Sequence, residues 1–137
     1  MTKYKAKPTV MMLEDGASMR FDSKLEMAFW QKLKIVGEEF IFHPTCYFTL
    51  EGGAVYRPDF EIVAGLCDYI EVKGGRIRKS DGKKTTSESP MWKRTRKQLA
   101  ERYPNLKLLI VYGRVDAKRG FVTEWTEWLN KEKGAAK

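Results

Sequence analysis

Two stretches of this chain, "VYRPDFEIV" (55–63) and "DYIEVKG" (68–74), are apolar enough to be buried strands, yet Asp59, Glu71 and Lys73 stand inside them. An ionised group is costly to bury unless it is paired or holds a metal. A fold that keeps both strands must therefore bring these charges together. Strand alternation places Ile70 and Val72 on one face and Tyr69, Glu71 and Lys73 on the other, with Glu71 and Lys73 roughly 7 Å apart. Within 56–63 the same alternation groups Tyr56, Phe60 and Ile62, and points Asp59 the opposite way. The connection Ala64–Cys67 is short enough for a hairpin. Asp59 and Glu71 then share a face only if paired residue numbers sum to an even value, and a sum of 130 sets them directly opposite one another.

Two carboxylates opposite each other repel, and a divalent cation between them removes the repulsion. Oxygen ligands of this kind suit Mg²⁺ or Mn²⁺. Such an ion eases deprotonation of water and polarises a phosphoryl oxygen. Lys73, on the same face, is placed to help hold the attacking water and neutralise developing charge. Pro58 removes a ladder donor and belongs at an edge or a bulge, and bulges re-aim side chains next to active sites. The plain alternative is a turn residue at Asp59 and a solvated strand face at Glu71 and Lys73.

The location of the net charge favours chemistry. Residues 73–102 hold eleven Lys/Arg against three acids, which accounts for the whole net charge of +8. Concentration of this kind points to a polyanion, with nucleic acid first and an anionic membrane second. Arg76, Arg78, Lys79, Lys83, Lys84, Lys93, Arg94, Arg96 and Lys97 are the candidate phosphate contacts. A zinc site of the Cys/His type is not expected, because His43 is the one histidine and Cys46 and Cys67, the two cysteines, lack a metal-binding spacing. Two unreactive thiols, no apolar run near the roughly 18 residues that span a bilayer and no secretion signal predict a cytoplasmic protein without a membrane partner.

The 137 residues, 42% of them hydrophobic, fit one domain. Residues 1–8 read as a flexible basic arm. Val10–Leu13 and Met19–Phe21 read as a short hairpin around Glu14-Asp15-Gly16. Leu25, Phe29, Leu33 and Val36 recur at helical spacing, with Ser23 or Asp22 as cap and Gly37 as stop. "EFIFHP" and "CYFTL" read as strands, followed by a tight turn at "EGGA" and the two charged strands. Residues 75–89 read as a mobile basic loop. A second helix carries Trp92, Thr95 and Leu99, "NLKLLIVYG" is a strand, "TEWTEWLNKEK" reads as an amphipathic helix, and 134–137 as a frayed tail. The sum is a mixed α/β domain with one central sheet.

Glu26 and His43 are ambiguous on physics alone. "SKLE" at 23–26 is a capping-box pattern, which gives Glu26 a structural role. A histidine before Pro44 at a strand end is more often structural than catalytic.

"RPDF…YIEVKG" resembles the signature of the PD-(D/E)xK nuclease superfamily, with Pro58-Asp59 as its first part and Glu71-Val72-Lys73 as its second. The upstream "FDSKLE" helix and the later "YPNLKLLIVY" are similar to those of the phage endonuclease I type of Holliday-junction-resolving enzymes. The resemblance spans residues 18–115. It implies a restriction-endonuclease-like core, αβββαβ, that uses Mg²⁺ or Mn²⁺ to cut DNA. It implies a catalytic, metal- or water-holding role for Glu26 beside Asp59, Glu71 and Lys73. It also implies a phage setting in the host cytoplasm, with branched DNA as substrate. The 75–89 segment is longer than that pattern, and the dimer-forming element of the family is not evident, which leaves a homodimer open. The expectation is a metal-dependent DNA endonuclease. The alternatives are a restriction-type or nicking nuclease on ordinary duplex, and a non-catalytic DNA-binding accessory protein.

Overall fold

The computed structural model describes residues 9–12, 18–21, 23–63, 65, 67–86 and 88–130. The expected basic arm, the 14–16 turn and the expected frayed tail lie outside them. Strands β1 (Thr9–Met12) and β2 (Ser18–Phe21) pair antiparallel as the predicted hairpin. Helix α1 (Lys24–Val36) begins where Ser23 Oγ accepts the Glu26 N–H at 3.2 Å. It ends at Gly37, whose φ of 78° lets the chain turn out of the helix, as a C-terminal glycine does.

Strands β3 (Phe40–Phe42), β4 (Phe48–Thr49), β5 (Val55–Tyr56), β6 (Phe60–Ile62), β7 (Tyr69–Ile77) and β8 (Lys84–Thr86) follow, with a 3₁₀ turn over Glu51–Gly53. Helix α2 (Pro90–Arg102) is capped by Ser89 and leads to β9 (Leu108–Asp116) and β10 (Gly120–Trp128). The central sheet runs β10-β9-β7-β6-β3, with β8 added to β7, and β4 and β5 form a separate pair. β7 and β9 are parallel, with α2 in the crossover between them, and the other pairings are antiparallel. This is an α/β fold with a mixed sheet.

Because the sheet is covered on both faces, β9 is apolar from Leu108 to Tyr112, and β7 interrupts its apolar residues with Glu71 and Lys73. On the α1 face, Phe29 meets Phe60 and Phe121 edge-on at 5.3 and 5.0 Å, among Ile70, Val72 and Val111. On the α2 face, Trp92 and Leu99 pack with Leu108, Ile110, Tyr112 and Tyr56. Each such fully buried apolar side chain contributes about 1.5–3 kcal/mol.

Three expectations are corrected. Residues 75–89 are not one loop: Gly75, Arg76 and Ile77 pair with Thr86, Thr85 and Lys84 as a hairpin. Arg78 closes its turn by a two-pronged bond to Asp81, both contacts at 3.0 Å. "VYRPDFEIV" is not one strand, because Pro58 interrupts it. Tyr56 accordingly lies in the α2-face core, away from Phe60 and Ile62 in the α1-face core. The helix expected from Thr123 is a strand through Trp128. Phe, Val, Thr and Trp favour strands. Asp116 accepts the N–H groups of Lys118 and Arg119, and Gly120 turns the chain back onto β9 with φ 75°. A bulge between Thr123 and Trp125 sends Phe121 to one face and Trp125 to the other. That break in alternation is what makes the sequence read as helical.

Candidate active site

β6 and β7 pair Phe60 with Ile70 and Glu61 with Tyr69, the predicted register of 130. The ladder stops at Phe60 and Ile70; continued one step, its register sets Asp59 opposite Glu71. Two steps further Pro58, which has no N–H, would face Val72. The Val72 N–H is bonded instead by Asp59 Oδ2 at 2.9 Å. Even-numbered residues of β7 and those that flank it turn their polar backbone groups to this edge. The Asp68 carbonyl accepts from Ile62, the Gly74 carbonyl accepts from the Thr86 hydroxyl at 2.8 Å, and the Arg78 N–H reaches Lys83. β6 and β8 thus lie along one edge of β7, with Glu71, Val72 and Lys73 in the gap between them.

Glu71 is the one charged side chain fully buried among the described residues, at 6% exposure. Its two oxygens are held inside the protein. The Tyr56 hydroxyl donates to Oε1, and Lys73 Nζ lies 3.0 Å from Oε2. Lys73 also stands over the Trp92 ring, 4.4 Å from its centre, where cation and ring attract. Burial pushes the Glu71 carboxyl up, against the opposing pull of Lys73 and Tyr56. Asp59 is raised well above the usual carboxylate range by burial first, then by the charges of Glu71 and Glu26. Burial, with Glu71 and Asp59 after it, raises Tyr56.

Glu26 comes from the first turn of α1. His43 Nε2 lies 3.3 Å from Glu26 Oε1, and the His43 N–H donates to the Asp59 carbonyl at 2.9 Å. His43 has φ 54°, unusual for a residue with a side chain, and its ring stacks on Phe42. A cleft of about 350 Å³ opens here, lined by His43, Pro44, Thr45, Arg57, Pro58 and Asp59. Asp59 therefore lies within electrostatic reach of Glu71, Glu26 and Lys73, and Lys73 is paired with Glu71. Tyr56 and Arg57 were not singled out by sequence reasoning, since both were read as parts of an unbroken strand.

Among the described residues no three His, Cys, Asp or Glu side chains are grouped to hold a metal ion. The donor chemistry of Asp59 and Glu71 nonetheless suits Mg²⁺, which commonly takes one or two carboxylates and keeps waters and substrate oxygens for the rest. Burial is the first cause of the raised Asp59 carboxyl, and the charges of Glu71 and Glu26, which a cation would oppose, come after it.

The basic candidates divide. Arg76, Arg78, Lys79, Lys83 and Lys84 are exposed on the β7–β8 hairpin, and Lys93, Arg94 and Lys97 are exposed on α2. Arg78 is engaged by Asp81. Arg96 is tied down by Glu127 at 2.7 Å and the Tyr112 hydroxyl at 3.0 Å, which gives it work inside the fold. A second cleft of about 700 Å³ runs along the hairpin, with Arg76, Arg78, Lys79 and Arg114 among its walls. No helix among the described residues is long and apolar enough to cross a membrane. No family model, curated protein or solved structure matches this chain.

Proposed function

We propose that this chain is a metal-dependent DNA endonuclease of the PD-(D/E)xK kind, acting on branched or structured DNA. The observation that carries the reading is the convergence itself. The β6–β7 register brings Asp59 to Glu71, α1 brings Glu26 to Asp59, and Lys73 is bonded to Glu71. The order α1, β3, β6, β7, α2, β9 agrees with the αβββαβ core that the resemblance implies.

Asp59 and Glu71 would hold Mg²⁺ or Mn²⁺, with Glu26 beside them. When bound, the ion supplies Lewis-acid polarisation of a phosphoryl oxygen. Lys73, held between Glu71 and the Trp92 ring, presents a fixed positive charge to the phosphate under attack. Tyr56 keeps Glu71 oriented. The exposed cations of the hairpin and α2 hold the DNA backbone by sequence-independent contacts.

A second reading is favoured by one observation: both Glu71 oxygens already have protein partners. A DNA-binding accessory protein with a silent core would look the same. Purified protein with Mg²⁺ and supercoiled, linear, single-stranded or four-way-junction DNA separates the two. The expected result is metal-dependent cleavage, strongest on the junction, which Asp59→Asn reduces by orders of magnitude without lowering the melting temperature. Absence of cleavage on every substrate, with no Mn²⁺ binding by calorimetry, would leave the accessory protein.

A further inference from the structure

The cleft beside Asp59 carries a cation that the site described above does not use. Arg57 is exposed on its wall, and its guanidinium lies 5.2 Å from the centre of the Tyr47 ring. Its one hydrogen bond among the described residues is Nη1 to the Thr45 carbonyl, at a long 3.4 Å. No described acid pairs with it, whereas Arg78, Arg96 and Arg114 are each bonded to a carboxylate. A guanidinium has five N–H donors in a flat fork that matches two oxygens of a phosphate, so most of this fork is unspent.

The position of Arg57 relative to Asp59 is stiff. Pro58 between them is almost wholly buried, and its ring fixes its own φ and holds Arg57 extended. The facing wall is fixed as well, because the His43 N–H is bonded to the Asp59 carbonyl at 2.9 Å. The cleft is therefore lined by an acidic and a basic residue two positions apart. Its volume of about 350 Å³ falls in the range of small-ligand sites. A phosphodiester suits that polarity: one end of the nucleotide faces the acids that the proposed function assigns to a metal, and its neighbour's anionic oxygens face Arg57.

We infer that this cleft is a phosphate subsite for the DNA strand that crosses Asp59, with Arg57 as its principal contact. The inference rests on the nuclease reading and adds to it a contact outside the basic hairpin and α2. The test is binding of fluorescently labelled four-way-junction DNA in Ca²⁺, titrated with salt. It compares wild type, Arg57→Gln, Arg57→Lys and Arg119→Gln. Arg119, 69% exposed on the turn between β9 and β10, provides the same loss of net charge elsewhere. Removing one phosphate contact weakens binding and flattens the log–log salt slope by about 0.9. That change is expected for Arg57→Gln, with the slope restored in Arg57→Lys, the slope of Arg119→Gln unchanged, and equal melting temperatures throughout. A wild-type slope in Arg57→Gln, or the same flattening in Arg119→Gln, would overturn the subsite while wild-type cleavage leaves the nuclease reading intact. Failure of the wild-type protein to bind the DNA at all would overturn that reading, and the subsite with it.

Discussion

His43 is held in the left-handed region at φ 54° while it touches both Glu26 and Asp59. That conformation costs an ordinary L-residue roughly 1–2 kcal/mol, least for Asn and most for β-branched side chains. Stability should therefore follow backbone tolerance at this position. His43→Asn is expected to unfold in urea close to wild type, and His43→Val about 1–2 kcal/mol earlier. Equal loss in both variants would mean that the ring, and not the backbone, sets the stability here. At this scale the sequence was informative about Asp59 and Glu71, because strand parity admits few registers and an even sum is required for two acids to meet. It was silent on Tyr56, whose face depends on the chain breaking at Pro58, and alternation cannot be carried through a break. His43 reads from sequence as structural, and its place between two acids follows only from the fold.

Elements were legible where one period ran unbroken. α1 and α2 have caps and apolar anchors at helical spacing, and β9 is apolar from Leu108 to Tyr112. β8 was missed because Lys84, Thr85 and Thr86 are exposed and bury nothing that a pattern could register. β10 was missed because its bulge moves Trp125 off the face that holds Phe121. The β9–β10 pairing is close-fitting at Gly113, where an added Cβ would strike the Val122 carbonyl oxygen and the Phe121 ring. The backbone carbonyl cannot swing aside as a side-chain tip would. Gly113→Ala is therefore expected to cost about 3 kcal/mol, the upper end for overpacking, measured as a shifted denaturation midpoint with an unchanged slope.

Over the whole molecule, the local charge excess lies where residues 73–102 place it, on the hairpin and α2, but the sequence did not distinguish exposed cations from Arg96, which is bonded within the fold. Glu124, at the bulge, joins the sheet's parts. It accepts the Ile77 N–H at 2.8 Å and Arg114 Nε at 2.9 Å, bonds that hold its carboxyl below the usual 4.5, the first more than the second. A depressed carboxyl stabilises the fold above its unfolded value, and that contribution is lost as pH falls through the lower folded one. Urea unfolding of wild type and Glu124→Gln should thus differ at neutral pH and converge in acid. The same bulge has a consequence for solubility. β10 is nine residues long and ends the sheet, with no described strand along its outer side. A long, straight strand in that place is a template for another copy of the chain. The extra residue at the bulge twists the edge out of line. Deleting Glu124 is expected to bring on aggregation by light scattering at concentrations where Glu124→Gln, which keeps the bulge, stays clear.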